Sequence, residues 1–485
     1  MDYRKLTIEE LHELLVKKET TPLELTKLAI ELAKKDTNNA FERLTEEEAL
    51  RLASELKEPE VNNPLWGIPF VIKDNFSTKD IETTASSNIL NGYVPVFNAT
   101  VVDRLLEAHA VPIGKVTLDE LAMGGSGITG HKGVTFNPYD RSHERIVGGS
   151  SCGSAAAVAD GFVPFALGSD TGDSVRKPAS LAGLVGFKPT WSRISRFGLF
   201  PFTPSLDTVG YFTRSIKDAG YILNVLAGRD EKDATSSTKE VDNYTRLIGE
   251  PIKGKKIAVI NQINNATSDK HLLEVFDKTV AGLREKGAEV HYIDVDKKLL
   301  ETLFPTYFVI SCAEATSNNA NLDGVKFGPY YPGATYQEAM TKARTNGFSE
   351  LIRRRFVIGS YALMRENQNE LFLRAQKNRQ RIVRVINEIL KEYDFIYVIA
   401  APSVAPKLNG ASDKLSDEYL IADNHLCLGN FAGLPSITIP IGLENELPLG
   451  ANLMGRAFEE AELLQVAYEI ENITGLRGLV AKEDK

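Results

Sequence analysis

The chain has 485 residues, of which 43% are hydrophobic and 25% charged, with 37 glycines and 21 prolines. These values are those of an ordinary folded protein, so they exclude the disordered, collagen-like and low-complexity classes. A net charge of −9 argues against a protein whose main surface binds a nucleic-acid backbone.

The sequence has no feature of a secreted or membrane protein. Residues 1–15 lack the apolar core of a signal peptide, and no stretch reaches the roughly 18 apolar residues of a membrane span. Cys152, Cys312 and Cys427 are far apart and form no CxxC pair, and the histidines are scattered. We therefore expect a cytoplasmic protein with no membrane partner, no disulfide framework and no bound metal.

The first 60 residues carry the start signals of helices. Thr7 and Glu10 form the Thr-x-x-Glu pattern of a capping box. Thr21 and Glu24 form a second one, and the proline after Thr21 takes the first helical position. Residues 1–60 are therefore predicted to be a helical segment.

Strand and helix patterns alternate through the rest of the chain. Residues 68–73 (IPFVIK) are apolar on both faces, which is typical of a strand inside a covered sheet. Further strands are predicted at residues 111–115, 163–168, 256–260, 289–293, 395–400 and 437–441, and long helices at 271–286 and 375–392. This alternation predicts an α/β fold with a large, mostly buried sheet. The polar residues 229–254 form either a domain linker or, as we favour, a surface excursion.

Two segments rich in glycine and serine, 148–159 and 168–178, are the strongest candidates for a functional site. Loops of this kind expose backbone N–H groups, which form a phosphate cradle or an oxyanion hole. The phosphate alternative finds no support elsewhere in the chain. Residues 249–255 lack the Ser or Thr that ends a Walker loop, and the GxGxxG of residues 125–130 neither follows a strand nor opens a helix.

An oxyanion hole serves acyl transfer, which also needs a nucleophile and a base. Serines are abundant in the two segments, but no histidine follows His143 in this region. A buried lysine can be the base instead, because its neutral amine accepts a hydroxyl proton. Lys73, at the end of a predicted strand, is the candidate; the alternative is a lysine that extends from the strand end to solvent.

Four segments together resemble the amidase signature family: residues 67–75 (GIPFVIKDN), 148–151 (GGSS), 169–179 (SDTGDSVRKPA) and 183–190 (GLVGFKPT). The two serines Ser150 and Ser174 are 174 − 150 = 24 residues apart, as in that family. The resemblance implies an α/β fold with a large mixed β-sheet covered by helices on both faces. It also implies that residues 61–480 form the amidase domain, against which residues 1–60 pack.

The family hydrolyses amides with a Ser-cis-Ser-Lys triad. By position in the motifs, Ser174 is the nucleophile, Ser150 the cis-peptide serine that relays the proton, and Lys73 the base. The resemblance further implies an oxyanion hole formed by the backbone N–H groups of three residues, Thr171, Gly172 and Asp173.

Cys152 and Asp173 stand where the family usually has glycine. A carboxylate beside the oxyanion would oppose the developing charge unless it pairs with a cation, for which Arg176 and Lys177 are the candidates. Cys152 as a substitute nucleophile is disfavoured, because both motif serines are present.

Within the family, further segments resemble the glutaminase subunits of tRNA-dependent amidotransferases: residues 44–50, 118–124, 192–202, 314–328 and 430–442. This resemblance implies that the chain hydrolyses glutamine and passes ammonia to partner subunits B and C. The partner subunit binds ATP and Mg²⁺ and uses them to amidate misacylated Glu-tRNA(Gln) or Asp-tRNA(Asn). No cofactor is expected in this chain.

Glutamine carries an α-carboxylate and an α-ammonium, so its pocket needs a cation and an anion. The resemblance assigns Arg354 to the carboxylate, with Arg353 and Arg355 as neighbouring alternatives, and Asp423 and Tyr307 to further substrate contacts. Two other functions stay open: a stand-alone amidase for another small amide, and a non-catalytic scaffold subunit, which Asp173 suggests.

Overall fold

The computed structural model describes residues 3–410 and 416–482, which contain one eleven-stranded sheet. Its strands are β1 (Phe41–Leu44), β2 (Pro69–Lys73), β3 (Val111–Val116), β4 (Phe165–Asp170), β5 (Val185–Lys188), β6 (Thr208–Thr213), β7 (Lys256–Ile260), β8 (Glu289–Ile293), β9 (Phe395–Ile399), β10 (Ser436–Glu444) and β11 (Leu447–Gly455).

The α-helices lie between and around these strands. They are α1 (Ile8–Val16), α2 (Pro22–Ala33), α3 (Glu46–Glu55), α4 (Thr100–Glu107), α5 (Cys152–Ala159), α6 (Arg176–Leu181), α7 (Ile216–Leu226), α8 (Asn261–Asn264), α9 (Lys270–Glu285), α10 (Lys297–Leu300), α11 (Leu303–Asn318), α12 (Tyr336–Gly347), α13 (Glu350–Leu363), α14 (Arg374–Glu392), α15 (Cys427–Phe431) and α16 (Glu460–Thr474). In the part of the chain described, no helix combines the length and apolarity needed to cross a membrane.

The sheet is mixed, with the order β1-β3-β2-β4-β6-β5-β10-β11-β9-β7-β8. Strand β2 runs parallel to β3 and β4, and β7 runs parallel to β8 and β9, whereas the other neighbours are antiparallel. Every residue of β2, β3, β4, β5, β6, β9 and β11 is buried, so both faces of the sheet are covered. The predicted α/β class and large mixed sheet are confirmed.

The predicted strands agree with the observed ones within about two residues, except that β10 extends three residues beyond its predicted end. Strands β1, β5, β6 and β11 were not predicted. The last three contain glycines, Gly186, Gly210 and Gly450 among them, which weaken the local pattern of a strand. These strands owe their place to their neighbours in the sheet rather than to their own propensity.

The N-terminal segment contributes to the sheet as well as packing on it. Both predicted capping boxes are present at the starts of α1 and α2, with Pro22 in the first turn of α2. The prediction that residues 1–60 are helical is incomplete, because β1 pairs antiparallel with β3 at the edge of the sheet. Residues 229–254 contain no helix or strand. They bond back to the body, where Asp230 accepts from Thr100, so they form a surface excursion.

Candidate active site

The candidate site lies where the parallel strands β2 and β4 end. Their register pairs Ile72 with Leu167, so Lys73 at the end of β2 and Ser169 near the end of β4 leave the sheet together. The carboxyl ends of neighbouring parallel strands are a common place for a functional site in α/β proteins.

Lys73 is fully buried among hydroxyl groups. Its Nζ lies 2.9 Å from each of the Oγ atoms of Ser150, Ser151 and Ser169. Burial lowers the pKa of Lys73 to about 7, against the opposing effect of nearby acidic groups. Much of the amine is therefore neutral near pH 7 and is able to accept a proton from Ser150. The alternative of a lysine reaching solvent does not fit this position.

Ser150 is held from its backbone. The Gly149–Ser150 peptide bond is cis, and the N–H of Asp119 donates to the Ser150 carbonyl at 3.1 Å. The carboxylate of Asp119 in turn accepts the backbone N–H groups of four consecutive residues, Ser126, Gly127, Ile128 and Thr129. The GxGxxG segment is thus a loop folded around a carboxylate. Asp119 was missed by sequence reasoning, although it lies in the segment 118–124 that carried the resemblance.

Ser174 lies in a turn held by a buried ion pair. Arg176 Nη2 donates to Asp170 Oδ1 and to the Gly172 carbonyl, both at 2.8 Å, and Val175 N donates to Asp170 Oδ2 at 3.0 Å. Burial alone would raise the pKa of Asp170, but Arg176 and these hydrogen bonds hold it at about 2. The N–H of Ser151 donates to the Ser174 carbonyl at 3.2 Å, which joins the two serine segments.

The turn between Asp170 and Ser174 contains the backbone N–H groups of the candidate oxyanion hole. Among residues 3–410 and 416–482, no atom accepts a hydrogen bond from the N–H of Thr171, Gly172 or Asp173. The Thr171 hydroxyl donates to the buried Asp207 at 2.7 Å, which fixes one side of the turn. Unpaired N–H groups in a rigid turn are what an oxyanion hole requires.

Tyr307, from α11, packs on the other side of this turn. A Cβ atom built on Gly172 would lie 2.9 Å from two ring carbons of Tyr307 and 3.2 Å from its hydroxyl oxygen. Burial raises the pKa of Tyr307 well above its usual value, Asp173 adds to the rise and Arg355 opposes it. The tyrosine is therefore a neutral hydroxyl beside the candidate oxyanion hole.

Asp173 pairs with a lysine, as its position requires. Lys177 Nζ lies 2.7 Å from Asp173 Oδ2 and 3.1 Å from Asp423 Oδ1. Arg176 instead forms an ion pair with Asp170. Burial would lower the pKa of Lys177, but the two carboxylates raise it well above its usual range. Burial raises the pKa of Asp173, and Lys177 opposes that rise. The structure thus brings Asp423 to the same lysine, so that Asp173, Lys177 and Asp423 form one cluster.

Arg354, the predicted contact for the substrate's carboxylate, does not reach the cluster of Asp173, Lys177 and Asp423. Its side chain is 73% exposed and pairs with Glu350 at 2.5 Å on the outside of α13. Arg355 points the other way and places its guanidinium carbon 5.3 Å from the centre of the Phe308 ring. Successive residues on a helix project about 100° apart, so a shift of one position decides which arginine faces the site.

Cys152 is an inert thiol behind the site. Burial raises its pKa to about 12, and its Sγ lies 3.9 Å from the Thr117 hydroxyl. A thiol of that pKa is a poor nucleophile at neutral pH. Within the described ranges, no group of three or more His, Cys, Asp and Glu side chains converges on a point that would hold a metal.

The chain belongs to the amidase family: the sequence pattern of the family described as Amidase matches residues 24–464. It is accordingly an amide-hydrolysing enzyme. The chain is 40% identical over 478 residues to the A subunit of glutamyl-tRNA(Gln) amidotransferase from Heliobacterium modesticaldum, with 97% of each chain covered. The corresponding protein of Staphylococcus epidermidis is 39% identical over 481 residues, covering 97% of this chain and 98% of its own.

Solved structures of amidotransferase and amidase proteins are similar to this chain as well. The crystal structure of the glutamyl-tRNA(Gln) amidotransferase A subunit from Thermotoga maritima matches with a TM-score of 0.80 and 38% identity, covering 97% of this chain and 95% of its own. A peptide amidase from Stenotrophomonas maltophilia matches with a TM-score of 0.82 and 26% identity over 98% of both chains. The predicted resemblance to the amidase signature family, and within it to the amidotransferase subunits, is confirmed.

Proposed function

We propose that this chain is the glutaminase subunit of a tRNA-dependent amidotransferase, hydrolysing glutamine to glutamate and ammonia. The observation that carries the proposal is the fully buried Lys73, whose Nζ lies 2.9 Å from Ser150 Oγ and whose pKa burial lowers to about 7. The near-identical length of the amidotransferase relatives supports the same assignment.

The proposed reaction begins with a proton transfer. Neutral Lys73 takes a proton from Ser150, which takes one from Ser174, and the Ser174 oxygen attacks the side-chain amide carbon of glutamine. The N–H groups of residues 171–173 stabilise the oxyanion. The relay returns the proton to the leaving nitrogen, ammonia departs, and water then releases glutamate from Ser174.

Two charged side chains are proposed to hold the rest of the glutamine molecule. Asp423, with 34% of its side chain exposed, binds the α-ammonium. Arg355 replaces Arg354 as the cation for the α-carboxylate, because it lies over Phe308 beside Tyr307. Tyr307 contributes its neutral hydroxyl.

The assembly is proposed by analogy with the relatives. The chain works in the cytoplasm with subunits B and C as a heterotrimer and supplies them with ammonia. The partner binds ATP, Mg²⁺ and the misacylated tRNA, either Glu-tRNA(Gln) or Asp-tRNA(Asn), and forms the amide. The net charge of −9 on this chain fits a subunit whose partner, rather than the chain itself, binds the tRNA.

The test is ammonia release from glutamine by the chain alone and by the assembly with B and C. We expect release that rises with the partners and acceptor tRNA and that Ser174→Ala abolishes. Ser180→Ala is the matched control, because Ser180 is buried in the same helix region without a side-chain hydrogen bond in the described part of the chain.

Two results would contradict the proposal. Turnover of another small amide but not of glutamine identifies a stand-alone amidase. Assembly with B and C without hydrolysis of any amide identifies a scaffold subunit.

A further inference from the structure

Lys177 is shared between two carboxylates that have different surroundings. Its Nζ lies 2.7 Å from Asp173 Oδ2 and 3.1 Å from Asp423 Oδ1. Asp173 belongs to the turn of the candidate oxyanion hole, and 19% of its side chain is exposed. Asp423 is more open, with 34% of its side chain exposed. One ammonium group therefore bridges a catalytic turn and a binding residue.

The group lacks one positive charge. Two ionised carboxylates and one lysine sum to −1, and the other nearby cations have their own partners. Arg176 is held by Asp170 at 2.8 Å, and Arg355, over the Phe308 ring, pairs with the substrate's α-carboxylate in the proposed function, whether or not the substrate carries an ammonium group. A single cation placed at Asp423, the more accessible carboxylate, would make the group neutral. A primary ammonium is the cation that an amino-acid amide carries.

The lysine is anchored so that it can favour either carboxylate. Lys177 lies in the first turn of α6, where its N–H donates to the Asp173 carbonyl at 2.8 Å. Its flexible stem leaves the ammonium free to shift between two acceptors that differ by 0.4 Å in distance (3.1 − 2.7). A cation at Asp423 repels Lys177 and moves its charge onto Asp173.

We propose that Lys177 is a specificity-determining residue that couples recognition of the substrate's ammonium group at Asp423 to charge neutralisation of Asp173 beside the oxyanion hole. The inference rests on the proposed function. An amide with an ammonium group binds Asp423 and releases Lys177 to Asp173. An amide without one leaves Lys177 shared, so the charge of Asp173 opposes the oxyanion. The ammonium group thereby raises kcat as well as affinity.

The experiment measures ammonia release from glutamine and from its deaminated analogue, 5-amino-5-oxopentanoate, by the assembled enzyme. For the wild type, kcat should be about tenfold higher with glutamine. Lys177→Gln should lower kcat for glutamine by about tenfold to a hundredfold, because Asp173 loses its cation. The same variant should lower KM for glutamine, because Asp423 no longer pairs with a lysine. A purely structural role does not lower both parameters.

Asp173→Asn removes the charge with little change of shape. In the double variant Asp173→Asn, Lys177→Gln, kcat for glutamine should return to within about threefold of the wild type. The kcat ratio of the two amides should fall towards one while glutamine keeps its KM advantage. If Lys177→Gln does not fold, Asp173→Asn alone tests the coupling, because it too should bring the kcat ratio towards one.

Lys342→Gln is the matched control, because Lys342 pairs with Glu338 one helical turn away in an exposed part of α12. It should leave both substrates unaffected. An unchanged kcat in Lys177→Gln, or a kcat ratio that Asp173→Asn leaves unaltered, would overturn the coupling. Equal kcat values of the wild type for the two amides would overturn it while the proposed function stands. Release from neither amide would overturn the proposed function itself.

Discussion

At the scale of single residues, burial makes Lys73 a usable base. An ordinary lysine is protonated at neutral pH, but burial lowers the pKa of Lys73 to about 7. The neutral amine is the active form. We therefore predict that kcat for ammonia release rises about tenfold per pH unit below pH 7 and levels off above it. A pH profile of kcat measures this.

Two lysine variants separate the cause of that profile. Lys73→Met should lower kcat by about 10²- to 10⁴-fold on the plateau above pH 7 and should remove the rise with pH. Lys188 is the matched control: burial lowers its pKa to about 7 as well, but its Nζ donates to the carbonyls of Pro189 and Leu434. If Lys188→Met rather than Lys73→Met removes the rise with pH, the assignment of the base is wrong.

Gly172 is a second residue whose identity the geometry requires. A Cβ atom there would lie 2.9 Å from the ring of Tyr307, closer than real contacts allow. Gly172→Ala should displace either the turn or the tyrosine and lower kcat about tenfold to a hundredfold. Gly125→Ala, where a Cβ atom meets nothing within 4 Å, should leave kcat unchanged in the same assay. Wild-type kcat in Gly172→Ala would show that the turn tolerates the shift.

At the scale of elements, a buried carboxylate joins two helices. Glu471 of α16 accepts the N–H of Ile216, the first residue of α7, at 2.8 Å. Burial raises the pKa of Glu471 to about 7 from 4.5, and the nearby Asp218 adds to the rise. The folded protein thus binds more protons than the unfolded chain between these values. The contribution of Glu471 to the free energy of unfolding should therefore fall as pH rises from about 4.5 to about 7.

Glu471→Gln tests this sign. Glutamine keeps an oxygen that accepts from Ile216 but does not titrate. Relative to the wild type, the variant should gain on the order of 2 kcal/mol in free energy of unfolding between pH 5 and pH 7.5, measured by urea denaturation. Glu58→Gln, at an 81% exposed side chain, should show no such change. A pH-independent difference for Glu471→Gln would contradict the prediction.

At the scale of the whole molecule, the reactivity of the three cysteines tests whether the fold opens as one unit. Cys152 in α5, Cys312 in α11 and Cys427 in α15 are all buried. Burial raises the pKa of Cys152 to about 12 and that of Cys312 to about 11, and it raises the pKa of Cys427 as well. We predict that no thiol reacts with a thiol reagent at pH 8 in the native state and that all three react in denaturant.

The kinetics of that reaction carry further information. Helix α5 packs on β2 and β4, and α11 and α15 pack on each other and on α14. If these parts unfold as one cooperative unit, the thiols should become reactive at one common rate when unfolding limits the reaction. A single thiol that reacts early, in variants that keep one cysteine each, would identify a helix that opens locally.

Local patterns in the sequence determined a large part of this molecule. The two capping boxes, the buried strands around Lys73 and the paired serine motifs lie in short contiguous segments, and their hydrogen bonds and periodicity depend on neighbouring residues. The motifs therefore predicted the family, the α/β class and the lysine and serines that the fold brings together. The strands β5, β6 and β11 escaped prediction because glycine-containing segments become strands only between established neighbours.

Only the tertiary structure decided the pKa values and the ion pairs of the site. The pKa of Lys73 depends on its burial beside Ser150, Ser151 and Ser169, which come from two other segments of the chain. Asp173 pairs with Lys177 rather than Arg176 because Arg176 is already paired with Asp170. Likewise, the contact of Lys177 with Asp423 joins residues 423 − 177 = 246 positions apart. Charge and solvation act through space, so their outcome is set by distances that no local pattern contains.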